Sequence, residues 1–287
     1  MSISGKAKLA GVVGWPVAQS LSPAMHTYWL AEHGIDGAYV PLPVRPEDFA
    51  TVLRGLRLAG FRGVSVTVPH KEAAFAFVHR CDDAARAAGA VNQLVFHADG
   101  TIEGLNTDMP GLRASLEDTL GGGLNGAAAV LLGAGGASRA AVLALDSLGA
   151  GEIRILNRNR ERAASLASAL APAAKARLVP LGLTDWPAAS RDAALVVHAT
   201  SAGMKGTPPL DLALDTLPGT AAVCDIVYNP LQTELLMRAK ARGLMTIDGL
   251  GMLMHQGVAA FHAFYGTEPK VTSELRKTLE KALAHGS

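Results

Sequence analysis

Short runs rich in valine and isoleucine alternate with longer helix-periodic stretches along almost the whole chain, which predicts an α/β protein. In the first half the strand-like runs are 9–14, 38–44, 63–68, 91–96 and 101–105. Between them, Ser22-Pro23 supplies an N-cap and a first-turn proline for a helix ending near Gly34. A second helix runs from Pro46 to Gly60, a short one follows Lys71, and another covers 82–88. Asp99-Gly100 separates the last two runs and signals a hairpin. A helix after Pro110 leads to Gly121-Gly122-Gly123, the best linker candidate.

A second series begins at Ala127, with a strand at 130–133, a helix over 137–148 closed by Gly149, a strand at 153–157 and a helix through Leu170. Further strands are expected at 195–199, 221–227 and 245–247. Residues 251–285 read as helical and are too few to form a core of their own, so they are expected to dock on the first domain. The expected division is 1–108 with 252–287 as one domain, for substrate and catalysis, and 109–251 as a Rossmann-like nucleotide domain.

Composition narrows the function classes. With 287 residues, 49% of them hydrophobic and 18% charged, the chain is not disordered. A chain of this length buries about three quarters of its unfolded surface and needs neither disulfides nor a structural metal. Cys81 and Cys224 are too few for a disulfide scaffold and lack metal-ligand spacing. Twenty-six basic against 25 acidic side chains leave a charge of +1, so nucleic acid and anionic membrane are not expected partners. Neither a signal peptide nor a long apolar run is visible, and a cytoplasmic protein acting on small molecules is expected. His255 and His262 share a helix face but have no carboxylate or thiolate nearby, so no metal site is expected.

The sharpest local signal is the strand, glycine turn and helix start of Val130 to Arg139, containing Gly133, Ala134, Gly135, Gly136 and Ala137. Glycines there let the backbone approach a pyrophosphate facing the free N–H groups of the helix. Ser138 stands where the third glycine of the usual fingerprint would be. At the tip of the next strand, Asn157-Arg158-Asn159-Arg160-Glu161-Arg162 offers no carboxylate for a ribose 2′-hydroxyl. Arg158 and Arg162, one helical turn apart, can instead clamp a 2′-phosphate, so NADP is the expected cofactor. The plainer alternative is a solvated basic helix start.

Polar side chains also gather after strands in the first half, where open α/β sheets collect ligands. Ser20 and Ser22 follow the first strand, Thr67 and Lys71 the third, Asn92 starts another, and Asn106 and Asp108 follow the last. Singly, each has a bland reading: Ser22 as an N-cap, Lys71 as a solvated lysine, Asn92 as a turn former, Asp108 as a helix cap. Together they supply hydroxyls, amides, one ammonium and one carboxylate, a set suited to a small polyhydroxy acid.

These segments resemble the shikimate dehydrogenase family. The matching stretches are Gly14-Trp15-Pro16 with Ser20-Leu21-Ser22-Pro23, Val66-Thr67-Val68-Pro69-His70-Lys71, and Gly89-Ala90-Val91-Asn92. They continue as Gly104-Leu105-Asn106-Thr107-Asp108, Gly133 to Arg139, Ala199-Thr200-Ser201-Ala202-Gly203, and Asp248-Gly249-Leu250-Gly251-Met252. The resemblance implies Lys71 and Asp108 as a catalytic pair. It implies a shikimate pocket lined by Ser20, Ser22, Thr67, Lys71, Asn92, Asp108, Tyr228 and Gln256. It further implies NADP held by the loop 133–137 with Asn157, Arg158, Asn159 and Arg162, and nicotinamide contacts from Ile226, Gly249 and Asp83. Family members occur as monomers or homodimers.

Two positions depart from the family pattern. Ser65 stands where Asn commonly precedes Val-Thr-Val-Pro, and Asn159 replaces the usual Thr beside the arginine. The implied reaction is reversible reduction of 3-dehydroshikimate by NADPH. The alternatives are a quinate/shikimate dehydrogenase of relaxed specificity and a non-catalytic NADP-binding sensor. Retention of both Lys71 and Asp108 argues against the sensor.

Overall fold

The computed structural model describes residues 3–285. Its first half builds β1 (Lys8–Gly14), α1 (Ser22–Glu32), β2 (Gly37–Pro43), α2 (Phe49–Leu58), β3 (Gly63–Val66), α3 (Lys71–Phe77), β4 (Arg80–Cys81), α4 (Asp83–Ala88), β5 (Gln93–Phe96) and β6 (Ile102–Leu105). The second half continues with α5 (Asp108–Leu120), β7 (Ala128–Leu132), α6 (Gly136–Ser147), β8 (Glu152–Asn157), α7 (Arg160–Leu170), β9 (Arg177–Gly182), α8 (Trp186–Ala189), β10 (Ala193–His198), β11 (Ala222–Asp225), α9 (Glu234–Ala241) and β12 (Met245–Ile247). Two helices close the chain, α10 (Gly249–Tyr265) and α11 (Ser273–Ala284).

The chain divides into two units, one of residues up to Thr107 together with those from Leu253 onward, the other of Asp108–Met252. The first unit carries a mixed sheet ordered β2-β1-β3-β5-β6-β4. Its first three strands are parallel, and β5 and β6 form an antiparallel pair. The Asp99-Gly100 turn joins that pair, with Asp99 Oδ1 accepting from Thr101 N at 2.8 Å. One face of the sheet buries Val13, Val64, Val66 and Leu94 against Phe49 and Leu53 of α2. The other face carries an aromatic cluster, in which His26 stacks on Tyr39 with ring centroids 3.9 Å apart and Trp29, Phe261 and Tyr265 adjoin.

This cluster secures the C-terminal helices to the first sheet. Trp29 Nε1 donates to the Lys270 carbonyl at 3.2 Å, and the Tyr265 hydroxyl donates to that of Ala38 at 3.0 Å. Gly63 makes room for Phe264, whose ring would lie 2.6 Å from a Cβ there. Burial lowers the pKa of His26 to about 3, and neither ring nitrogen has a hydrogen-bond partner among the described residues.

The second unit is a six-stranded, all-parallel sheet ordered β12-β11-β10-β7-β8-β9. Such a sheet must be covered on both faces. Leu131, Ile153, Ile155, Leu195 and Val197 lie in one cluster with Ala141, Leu145 and Leu166, while Val130, Val196 and Val223 lie in the other with Leu235 and Leu236. The strand order reverses between β7 and β10, which opens a crevice at their carboxyl ends. No helix among the described residues is long and apolar enough to cross a membrane.

Several expectations need correction. Ser22 is not an N-cap: it is the first residue of α1, Leu21 precedes it, and no side chain caps that helix. The triple glycine joins α5 to β7 inside the second unit, whereas the chain passes between units at Thr107–Asp108. Pro46 opens a 3-10 turn ahead of α2, and the final helical stretch is broken after Tyr265 by Gly266 at φ 79°. Strands β4 and β9 were not expected.

Candidate active site

In the first unit the sheet order reverses between β1 and β3, so the segments leaving their carboxyl ends flank a crevice. Backbone bonds hold those segments together: Thr67 N donates to Val13 O at 2.9 Å and Trp15 N to Val68 O at 3.0 Å. A Cβ at Gly14 would collide with the Thr67 methyl group, so glycine is required for this approach. Ser20 and Ser22 follow β1, and Ser20 Oγ accepts from Ser22 N at 3.3 Å. Ser22 is buried, and its hydroxyl, with that of Ser65, lies beside the Tyr39 hydroxyl without an aligned bond to it. Burial raises the Tyr39 phenol above its ordinary pKa, so it stays protonated and able to donate.

Lys71 begins α3 and is half-buried; its carbonyl accepts from Val91 N at 2.9 Å, which fastens the helix start to the segment before β5. The next residue in that segment, Asn92, is 3% exposed. Its Nδ2 donates to Thr107 Oγ1 at 2.9 Å and its Oδ1 accepts from Thr107 N at 2.8 Å. Thr107 Oγ1 in turn lies 3.3 Å from Gln256 Oε1 on α10. The Asn106 side chain donates to Ala90 O at 2.9 Å and braces the same strand ends. Asp108 follows as the buried first residue of α5.

His70 is 1% exposed, bonds Val44 O through Nε2 at 2.8 Å and stacks on Phe49, so it supports the core. Asp83 lies on the exposed side of α4, where Arg86 Nη1 reaches its Oδ1 at 2.6 Å. Trp29 and Trp186 are core residues, and Trp15 is exposed beneath the Arg45 guanidinium.

In the second unit Gly133 follows β7 at φ +118°, a conformation that disfavours any Cβ. Its approach to β10 is just as close, since a Cβ would sit 2.9 Å from Ala199 O and from Thr200 Cγ2. Ser138 reaches back over the turn and accepts from Gly135 N at 3.1 Å, which accounts for serine in place of the third glycine. A Cβ on Gly135 or Gly136 would meet nothing within 4 Å, so the approach to the N-terminus of α6 is open at both glycines. That cradle fits a pyrophosphate.

Asn159 caps α7, accepting from Arg162 N at 2.9 Å, while Asn157 Nδ2 donates to Asn159 O at 2.8 Å. These two amides therefore shape the turn that presents Arg158 and Arg162. Both arginines are exposed, and neither is paired with a carboxylate among the described residues, so both remain available to a phosphate. At the end of β11, Ile226 is half-buried and its carbonyl lies where a Cβ of Gly249 would be; half-buried Tyr228 follows.

Sequence reasoning missed two connections. Thr107 links Asn92 to Gln256, and no local pattern marks it, because the contact depends on how β5 and β6 pair. His198 is buried at the end of β10 and bonds both Asp225 and Thr200. An apolar strand ending in histidine carried the only hint.

Residues 12–94 match the family described as shikimate dehydrogenase substrate binding domain, and residues 115–205 match shikimate / quinate 5-dehydrogenase. The shikimate dehydrogenase (NADP(+)) of Paramagnetospirillum magneticum is 50% identical over 279 residues, covering 96% of this chain and 98% of the relative. That of Rhodospirillum rubrum is 49% identical over 281 residues, covering 96% and 97%. Among solved structures, shikimate 5-dehydrogenase from Thermus thermophilus with NADP(H) and shikimate superposes with a TM-score of 0.83 at 37% identity, covering 97% of this chain and 99% of that one. Quinate dehydrogenase from Corynebacterium glutamicum with NAD gives 0.87 at 30% identity, covering 97% and 99%. Matched in both of its units and half identical to curated relatives along nearly its whole length, the chain belongs to the shikimate dehydrogenase family.

Proposed function

We propose that this chain catalyses the reversible NADPH-dependent reduction of 3-dehydroshikimate to shikimate, a step toward aromatic amino acids, acting in the cytoplasm as a monomer or homodimer. The observation that carries this reading is the Asn92–Thr107–Gln256 chain, buried at its asparagine and threonine, in the unit that bears Lys71. Uncharged donors and acceptors of that kind suit a ring bearing several hydroxyls, and the amine suits its carbonyl.

Bound NADPH supplies the hydride. As negative charge develops on the carbonyl oxygen, the Lys71 ammonium stabilises it and delivers a proton to it; in the oxidation direction the Lys71 amine takes that proton back. Asp108 holds the lysine and a substrate hydroxyl in position. The hydroxyls of Ser20 and Ser22 bind the substrate carboxylate, and Thr67, Asn92, Tyr228 and Gln256 bind its hydroxyls. Gly133 to Ala137 hold the pyrophosphate, Arg158 and Arg162 grip the 2′-phosphate with Asn157 and Asn159 beside them, and Ile226 and Gly249 border the nicotinamide, with Asp83 a further contact.

Relaxed use of quinate with NAD is the second reading, favoured by the likeness to a quinate dehydrogenase bound to NAD. Against it stand two arginines at the strand tip where NAD enzymes place a carboxylate. Formation of reduced cofactor by the purified chain separates the two. With shikimate and NADP+, kcat/KM is expected to exceed that for quinate and NAD+ by at least about 100-fold. The reverse order would establish the second reading instead.

A further inference from the structure

We propose that His198 is a positioning residue for the nicotinamide half of the cofactor site, an inference that rests on the NADP reading above. The imidazole ends β10 at 2% exposure. Its Nδ1 lies 2.9 Å from Asp225 Oδ1, and its Nε2 lies 2.6 Å from Thr200 Oγ1. A carboxylate can only accept, so Nδ1 carries the hydrogen toward Asp225. In the neutral ring Nε2 then accepts from the Thr200 hydroxyl, whose oxygen also takes the Ala202 N–H at 3.0 Å.

Each arm of this chain ends on backbone that borders the cofactor site. Asp225 is fully buried; its Oδ1 also accepts from Val227 N at 3.0 Å, and its Oδ2 accepts from Thr233 Oγ1 at 2.7 Å. Thr233 caps α9, so the carboxylate joins the 226–228 segment to a helix start. On the other side, the Thr200 methyl rests against Gly133 of the pyrophosphate loop. The His198 carbonyl accepts from Ile226 N at 3.1 Å, and the Ile226 carbonyl abuts Gly249. Through its ring and its backbone carbonyl His198 therefore bonds Asp225, the turn beginning at Thr200, which rests against Gly133, and the 226–228 segment, which abuts Gly249. A polar group buried this deeply in a parallel sheet is costly unless it is fully bonded, and here both ring bonds are made to residues at the carboxyl ends of β10 and β11.

The adenosine half is held elsewhere, by the 157–162 turn, so the two halves can be tested separately. Thr200→Val keeps a branched side chain against Gly133 and leaves the His198–Asp225 bond in place. His198→Phe keeps the ring and removes both bonds. Because the second change strips a buried carboxylate of a partner and threatens folding, the first carries the test. Affinity for NADP+ and for adenosine 2′,5′-bisphosphate, which lacks the nicotinamide, is measured by calorimetry on the full chain.

The expected result for Thr200→Val is an NADP+ Kd raised about 5- to 20-fold, as for loss of one or two positioned hydrogen bonds, with the bisphosphate Kd within about 2-fold of the parent. Equal weakening of both ligands would reduce the network to general support of the sheet and overturn the proposal. Unchanged affinity for both would overturn it as well. If the parent chain binds neither ligand, the cofactor reading itself fails, and the inference falls with it.

Discussion

Asn92 clasps Thr107 with both ends of its carboxamide, donating to the hydroxyl at 2.9 Å and accepting from the backbone N–H at 2.8 Å. The contact locks the segment before β5 to the end of β6. Asn92→Ala leaves a buried N–H unsatisfied, which costs about 1–3 kcal/mol. Thr107→Val keeps the backbone bond and loses the hydroxyl, which accepts from Asn92 Nδ2 and donates to Gln256 Oε1, at about 1–2 kcal/mol. Urea unfolding is expected to rank the two in that order, with the KM for shikimate raised in both.

Gly133 and Gly135 differ in kind although they belong to one loop. Alanine at Gly133 meets a positive φ and the Ala199 carbonyl at 2.9 Å, so Gly133→Ala is expected to lose about 1–3 kcal/mol of stability. A Cβ at Gly135 meets no protein atom. Gly135→Ala should therefore unfold within about 0.5 kcal/mol of the parent while its NADP+ affinity falls at least tenfold, roughly 1.4 kcal/mol. Thermal melts and NADP+ titrations of the two variants test this contrast.

Cofactor choice is assigned to the exposed arginines after β8. Arg158→Ser removes a charge-assisted bond worth about 1.5–3 kcal/mol, so kcat/KM with NADP+ is expected to fall about 10- to 150-fold. The value with NAD+ should change by less than about 3-fold, because NAD+ has no 2′-phosphate to lose. Steady-state rates with both cofactors measure the ratio.

His26 makes the first unit sensitive to acid. Its pKa is about 3 in the folded chain, lowered by burial from 6.5, so below pH 6.5 the unfolded chain binds a proton that the folded chain refuses. The stabilising contribution is complete above pH 6.5 and is lost as pH falls toward 3. By pH 5 the loss is about 2 kcal/mol. His26→Phe keeps an aromatic ring against Tyr39 and is expected to flatten stability between pH 7 and pH 5, as followed by denaturant unfolding at each pH.

Much of this could be read from the chain because the devices are local. A strand, a glycine turn and a helix start lie within ten neighbouring residues, and the arginines sit at the tip of the following strand. Lys71, Asp108 and most of the pocket residues stood out as polar residues after strand ends, and the resemblance to shikimate dehydrogenases gave them their roles and added Tyr228 and Gln256. What escaped was set by pairing between distant segments. Strand β9 contains Pro180, which reads as a breaker, yet β9 lies at the sheet edge and pairs only with β8, so a missing N–H is tolerated. The contact of Thr107 with Asn92 and that of His198 with Asp225 exist only once their strands are in register. Ser22 has the composition of a cap, but its helix begins at that residue, which sends the hydroxyl toward Tyr39 instead.

The central claim is that the Lys71 amine exchanges the proton with the substrate oxygen. Lys71→Ala, assayed for shikimate oxidation with NADP+ beside the parent chain, measures this most directly. The account predicts kcat lower by about 100- to 10,000-fold with KM for shikimate changed by less than about 5-fold, since the missing charge acts in the transition state. Turnover by Lys71→Ala at the parent rate would contradict it.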